Sequence, residues 1–438
     1  MKSRFFGGFD SIRVRGILPR MVWAAGLLLS LSTTAVLAQK QSSTTWGWPQ
    51  PYAKISPASV EYLKAQKWWP LTIAWQPAFS GQNATVVTML RNDFLTKRGI
   101  ETKSLEFAAG VLVNKAVVSG DAQVGAGGNF PLTSLIAADA PIRVIAVTAP
   151  NLKHQVIVPI NSKIKALADL KGSSPPAVIG LALGSSAEFY FQSAAAVNGL
   201  VAGRDFVLKN LPLAEQQKMP ADVAAVVPWD LTCTYITGEL KTGRAVDVSY
   251  PYNVYQGGFY VRKEILDAAP DVAQAITDAI VESDLWMRLN ETKAAALMAE
   301  IPSLKIYPQT LLKQQIQEYN TLYKPSYMMP YGEFWGFQNQ SIALWLTLNG
   351  KLSRSAGVAD YKKAFAEEPM RKTFEKLGWR DPRFPPFISV AFLDRMLSSG
   401  GKLPAYENYQ SMNGKKQPWP QSSDLTRSFA FDGKTYSP

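Results

Sequence analysis

Two stretches carry residue types suited to holding a small ligand, Asp121–Ala140 (DAQVGAGGNFPLTSLIAADA) and Leu183–Phe191 (LGSSAEFYF). The first reads as a short strand (Ala122 to Gly125), a glycine-rich turn (Gly125, Gly127, Gly128, Asn129) and a helix opening near Pro131. Glycine tolerates positive φ and lets a ligand approach the main chain. Proline fits a first helical turn, where its missing N–H costs nothing. Such a turn aims free N–H donors and the positive end of a helix dipole outward, which suits an anion. The second stretch places Ser185 at an N-cap with Glu188 three residues on, the pattern of a capping box. Ser186 and the first-turn N–H groups then offer an oxyanion neutral donors. A plain strand-to-helix turn and a pair of capping serines account for the same letters without any ligand. What favours a shared anion site is the recurrence of the turn, once in each half of the chain.

Other candidates fall at the junctions between these units. Gln76, Phe79, Ser80 and Gly81 follow the first strand; His154 and Gln155 sit where the chain passes from the first half to the second. Trp229 and Asp230 follow a buried strand at its carboxyl end, where open α/β sheets bind their ligands. Trp229 serves equally as core, and Asp230 as N-cap of a helix running from Leu231 to Lys241. Tyr250 and Tyr252 lie at the return crossing, either packing it or facing the ligand. With Gly128, Asn129, Phe130, Ser185, Ser186 and Phe189, and leaving out Tyr250, these make up the expected binding set. No arginine falls within the motifs, so a bidentate guanidinium clamp is not expected. Neutral donors suit a monoanion such as a sulfonate, carboxylate or nitrate. Phe79, Phe130, Phe189 and Trp229 suit an organic portion.

The single cysteine, Cys233, excludes an intramolecular disulfide. Given a base it offers a nucleophile. It lies in the apolar run LTCTYI, however, and reads as buried filler; the one histidine, His154, is on another segment. One Cys and one His give no basis for a metal site, and no cofactor motif is present, so none is expected. No catalytic residue is assigned.

The chain alternates strands and helices from Leu71 to Arg262 and is helical beyond Lys263. This predicts an α/β fold of two lobes, each a mainly parallel sheet flanked by helices, with a helical C-terminal part. The first 38 residues read as a cleavable leader, with a basic start, an apolar run from Met21 to Leu31, and Val36-Leu37-Ala38 before the cut. The run is shorter than a spanning helix, and no Cys follows it to carry a lipid. Removing the leader takes away five basic residues and Asp10, lowering the formal charge of +12 by four to +8. No clustered basic face suited to nucleic acid is visible. The expected divisions are the leader (1–38), an aromatic-rich lead-in (39–70), lobe 1 (71–157 with 257–380), lobe 2 (158–256) and a C-terminal extension (381–438) with little regular structure past Gly400.

At this level the sequence resembles the periplasmic substrate-binding proteins of nitrate, sulfonate and taurine importers, over roughly Leu71 to Trp379. The likeness is carried by QPAFSGQN after the first strand, DAQVGAGGNFPLTSL, KALADLKG, GSSAEFYF, VVPWD and QSIALWLTLNGKL, in that order. Pro175-Pro176 and the two extensions depart from the family pattern. The resemblance implies a type II binding-protein fold with crossovers near Gln155–Ile160 and Tyr250–Gly258. It further implies a small anion held between the lobes, a monomer, an extracytoplasmic location and the membrane permease of an ABC importer as partner.

Overall fold

The computed structural model describes residues 47–77, 80–150, 152–382, 385 and 416–438. The expected leader, Trp46, Phe79 and all of 386–415 lie outside the described residues.

Helix α1 (Pro57–Ala65) opens on Ser56, whose hydroxyl accepts the Ser59 N–H in the manner of an N-cap. Then come β1 (Leu71–Trp75), α2 (Ser80–Arg91), β2 (Thr102–Glu106), α3 (Gly110–Ser119), β3 (Val124–Gly128), α4 (Asn129–Ala137) and β4 (Ile142–Thr148). The chain crosses over into β5 (Gln155–Pro159), β6 (Ala177–Leu181), α5 (Ser186–Val197), β7 (Phe206–Asn210), α6 (Leu213–Gln216), β8 (Ala225–Val226), α7 (Thr232–Thr234) and β9 (Gly243–Val248). It returns through β10 (Gly257–Arg262) to the helices α8 (Lys263–Ala268), α9 (Pro270–Leu289), α10 (Glu291–Ala299), α11 (Gln309–Leu322), α12 (Gly332–Leu348), α13 (Val358–Ala364) and α14 (Glu368–Leu377). A last hairpin joins β11 (Phe429–Phe431) to β12 (Lys434–Tyr436).

Two five-stranded sheets result, ordered β2-β1-β3-β10-β4 and β7-β6-β8-β5-β9. In each, four strands point one way, and the strand that arrives from the other sheet runs against them: β10 is antiparallel to β3 and β4, and β5 to β8 and β9. The sheets are therefore mixed, with the crossover strands as the antiparallel members. The two crossings are themselves laced together. His154 N–H donates to Ser249 Oγ at 3.0 Å, Ser249 N–H donates to the His154 carbonyl at 2.9 Å, and Gln155 pairs with Val248.

The lead-in and the C-terminal segment pack on the helices of the first sheet. Trp48 and Tyr52 cover the Arg98 guanidinium, each with its ring centre 4.9 Å away. Beneath them Arg98 and Glu282 form a buried ion pair at 2.7 Å. Trp419 packs edge-on against Trp379 and Phe431 and tilted against Phe429. The segment past Gly400 thus carries more regular structure than expected. Its hairpin turns at Asp432-Gly433, both at positive φ, a strong hairpin signal when apolar residues alternate on either side.

Candidate functional site

On the β6–α5 side, Ser185 is the N-cap, as predicted. Its hydroxyl accepts the Ala187 N–H at 3.2 Å and donates to the Ala182 carbonyl at 2.7 Å. The capping box differs from expectation by one residue, for the Glu188 carboxylate takes the N–H of Gly184, at 2.6 Å, instead of that of Ser185. Ser186 is left for another partner. Its hydroxyl lies 2.9 Å from His154 Nε2 at the head of β5. Both side chains are buried, and desolvation pushes the imidazole down to about 4, so it is neutral near pH 7 and offers one N–H donor and one acceptor. The rings of Tyr255, Trp229 and Tyr190 surround it, centred 5.5, 6.1 and 6.4 Å away. Tyr190 donates in turn to Asp247 Oδ1 at 2.7 Å, and burial pushes that carboxyl up to about 7. Tyr252 sits 6.1 Å from Tyr190, ring to ring.

On the β3–α4 side the expected glycine turn is corrected. Gly125, Gly127 and Gly128 are the strand β3 itself, paired with β10, and α4 follows without a turn. None of the three has positive φ. Space, not backbone freedom, requires them. The Tyr260 ring occupies the place of a Gly125 side chain, and a methyl on Gly128 would stand 2.7 Å from Tyr255 Oη. No side chain caps α4. The Asn129 amide nitrogen is engaged within the protein, donating to Asn253 Oδ1 (3.1 Å), Asn339 Oδ1 (2.9 Å) and the Val254 carbonyl (3.4 Å), while its Oδ1 has no protein partner. Phe130 on α4 and Phe189 on α5 converge on α12, packing with Ile342 and Leu346 and against the Trp345 ring. Lys351, just past α12, holds Glu188 at 3.2 Å and lies over Trp345. Helix α12 therefore bridges the two sheets at the first turns of α4 and α5.

The remaining candidates scatter. Gln76 is buried at the end of β1 with its amide on the Ala108 carbonyl at 3.4 Å. Ser80 and Gly81 lie in the first turn of α2. Gln155 is buried, its N–H on the Pro228 carbonyl. Trp229 is bridged to His154 by backbone pairing as well as by ring contact. Asp230 caps nothing. The helix from Leu231 to Lys241 is a short α7 with Leu231 at its N-cap, followed by a π-helical stretch over Tyr235–Leu240. The Asp230 carboxylate instead pairs with Lys153 at 3.3 Å, and burial raises it above the ordinary carboxylate range against the pull of that lysine. Cys233 is buried with its thiol on the Pro228 carbonyl, and burial pushes it well up. His154 is engaged with Ser186, so no Cys–His pair forms. Among the described residues no cluster of His, Cys, Asp and Glu is arranged to hold a metal ion, and no helix is long and apolar enough to cross a membrane. A groove of about 550 Å³ along the exposed strand β2, lined by Arg91, Glu101 and Lys103 among others, contains none of the sequence-named candidates.

Sequence reading missed Tyr255, Tyr190, Asp247 and the amides that engage Asn129. A return crossing rich in Tyr, Asn and Gln (YPYNVYQGG) was the available signal.

No family model matches this sequence, and no curated protein does. Among solved structures, the alkanesulfonate-binding protein SsuA from Xanthomonas axonopodis pv. citri bound to MOPS superposes with a TM-score of 0.55 at 20% identity, over 68% of this chain and 97% of that one. The aliphatic sulphonate binding protein SsuA from Escherichia coli gives 0.57 at 20%, over 67% and 96%. The nitrate-binding protein NrtA from Synechocystis PCC 6803 gives 0.57 at 14%, over 80% and 98%. The fold is that of the periplasmic binding proteins. The structural neighbours include sulfonate- and nitrate-binding members, and at these identities what is shared is the architecture. About a third of this chain lies outside the part that matches either SsuA structure.

Proposed function

We propose that the protein is an extracytoplasmic solute-binding protein. It captures a small organic or inorganic anion between its two sheets and delivers it to the permease of an ABC importer. The observation that carries this reading is convergence at one place of polar groups from both sheets. Ser186 and neutral His154 stand at the start of α5, Asn129 at the start of α4, and the Tyr255 hydroxyl lies over Gly128 between them. Such a place, lined by aromatic rings with a few convergent polar groups, is what a small-molecule site requires. Fold likeness to sulfonate- and nitrate-binding proteins supports the ligand class. The Phe130, Phe189 and Trp345 rings suit an organic sulfonate or aromatic acid better than a bare inorganic ion. The neutral His154 and the absence of arginine from the group favour a monoanion.

A thermal-shift screen of the leader-free protein tests this. A ligand that binds only the folded form stabilises it by about 2.7 kcal/mol at one hundred times its dissociation constant. At least one of methanesulfonate, benzenesulfonate, taurine, nitrate and benzoate should raise the melting midpoint. A flat response to all five refutes the reading.

A further inference from the structure

Four buried carboxamides, Asn129, Asn253, Gln256 and Asn339, form one hydrogen-bonded chain joining α4, the return crossing and α12. Its direction is fixed by main-chain anchors. Asn339 Nδ2 donates to the Trp335 carbonyl at 2.9 Å and to Gln256 Oε1 at 2.9 Å. That leaves Asn339 Oδ1 as the acceptor for Asn129 Nδ2, which also reaches the Val254 carbonyl and Asn253 Oδ1. Exchanging O and N in any one amide would set two donors or two acceptors face to face. So Asn253 and Gln256 must accept from the chain with their oxygens and turn their NH2 groups elsewhere. Neither NH2 group has a hydrogen-bond partner within the protein, although both residues are at most 3% exposed. Buried donors are rarely left unmatched, since each carries its full desolvation cost.

We infer that the Asn253 and Gln256 amides, beside the uncapped start of α4, are the receptor for the hydrogen-bond-accepting end of the ligand, an oxyanion taken up by neutral donors. This rests on the solute-binding reading and names the part of the ligand that is read. Asn253 lies on the start of α4 through its 3.1 Å bond with Asn129, the first residue of that helix. Thr148, opposite Gly257 in the sheet, contributes a further buried hydroxyl with no partner in the protein. The spare groups are the two amide donors, the Thr148 hydroxyl and one acceptor, Asn129 Oδ1. With two amide NH2 groups among them, an acceptor-rich group such as a sulfonate or carboxylate is favoured over an amine or metal cation. Held by carboxamides that do not titrate, the anion needs no counter-charge from the protein.

The test is isothermal titration of the leader-free protein with benzenesulfonate, methanesulfonate, nitrate and benzoate. The wild type is compared with Asn253→Leu, Gln256→Met and Asn253→Asp. Hydrogen bonds to a charged acceptor are strong enough that losing one should weaken the best anion about tenfold to a hundredfold in each of the first two variants. Asn253→Asp keeps the size and the oxygen that accepts from Asn129, so it serves even if Asn253→Leu does not fold. Replacing the donor with a negative acceptor should weaken binding further than Asn253→Leu does. Variants with native circular dichroism and wild-type affinity would overturn the inference while leaving solute binding intact. A wild type that binds none of the four probes would remove the solute-binding reading itself, and this receptor with it.

Discussion

Strand β3 makes a sharp prediction, because its three glycines face different neighbours. A methyl on Gly128 would stand 2.7 Å from Tyr255 Oη and 3.0 Å from its Cε2, well inside the 3.5 to 4.0 Å that carbon atoms prefer. Tyr255 is fully buried with its ring 5.5 Å from that of His154, so it yields only by pushing the site. Overpacking of this kind costs about 1–3 kcal/mol. At about 2–4 °C per kcal/mol for a mid-sized domain, Gly128→Ala should lower the melting midpoint by about 2–12 °C. A methyl on Gly127 meets Tyr260 Oη at 3.5 Å, an ordinary contact, so Gly127→Ala should stay within about 0.5 kcal/mol of wild type. Gly125→Ala drives a methyl into the buried Tyr260 ring, which is held to Asn114. It should destabilise at least as much as Gly128→Ala, but at a ring that does not touch His154. Scanning calorimetry ranks the three variants, and titration with the best anion separates them: affinity per folded molecule should fall in Gly128→Ala and hold in Gly125→Ala. If Gly127→Ala proves as damaging as Gly128→Ala, the spatial reasoning is wrong.

The buried titrating groups and the lone thiol give three more expectations. His154 resists protonation down to about 4, whereas an unfolded chain takes the proton near 6.5; stability should therefore drop as pH falls through that window, by about 3 kcal/mol at most. Urea midpoints measured from pH 7 to 4.5 should show a steeper loss in wild type than in His154→Gln, and equal slopes would refute the assignment. The Asp247 carboxyl, pushed up to about 7, keeps its proton in the fold while the unfolded chain loses it near 4, so its cost grows as pH rises between those values. Asp247→Asn keeps an acceptor for Tyr190 and should be the more stable protein at pH 8, by up to about 4 kcal/mol, with no gain near pH 4. Cys233, buried and bonded to Pro228, should be inert to Ellman's reagent until the protein unfolds, and Cys233→Ala should leave anion affinity unchanged; rapid labelling of the native protein would contradict this.

Much of the architecture was legible because apolar periodicity and cap signals are local. The βα alternation and Ser185 as a cap follow from neighbouring letters. The site was legible only in part. Ser186 and His154 were named separately, and nothing in the sequence shows that a residue on β5 meets one on α5. The glycines of β3 were read as a turn because glycine favours turns. In a strand it also marks a close approach by something bulky, here tyrosines more than a hundred residues later. Asp230, by its position before a helix, suits a cap, but the buried pair with Lys153 claims its carboxylate. The Asn129–Asn253–Gln256–Asn339 chain was invisible, since isolated amides leave no pattern in one dimension.

The paired crossings have a consequence for how the molecule works as a device. The two crossings are bonded side by side through His154 and Ser249, so a torsional change in one is carried to the other. His154, Asn253, Tyr255 and Gln256 belong to those crossings or adjoin them, so on the solute-binding reading the groups proposed to sense the ligand lie where any closing of the sheets would have to occur. Recognition and movement then share one set of atoms. A substitution there cannot adjust affinity while leaving the gape alone, and selection for a new ligand would have to retune both at once.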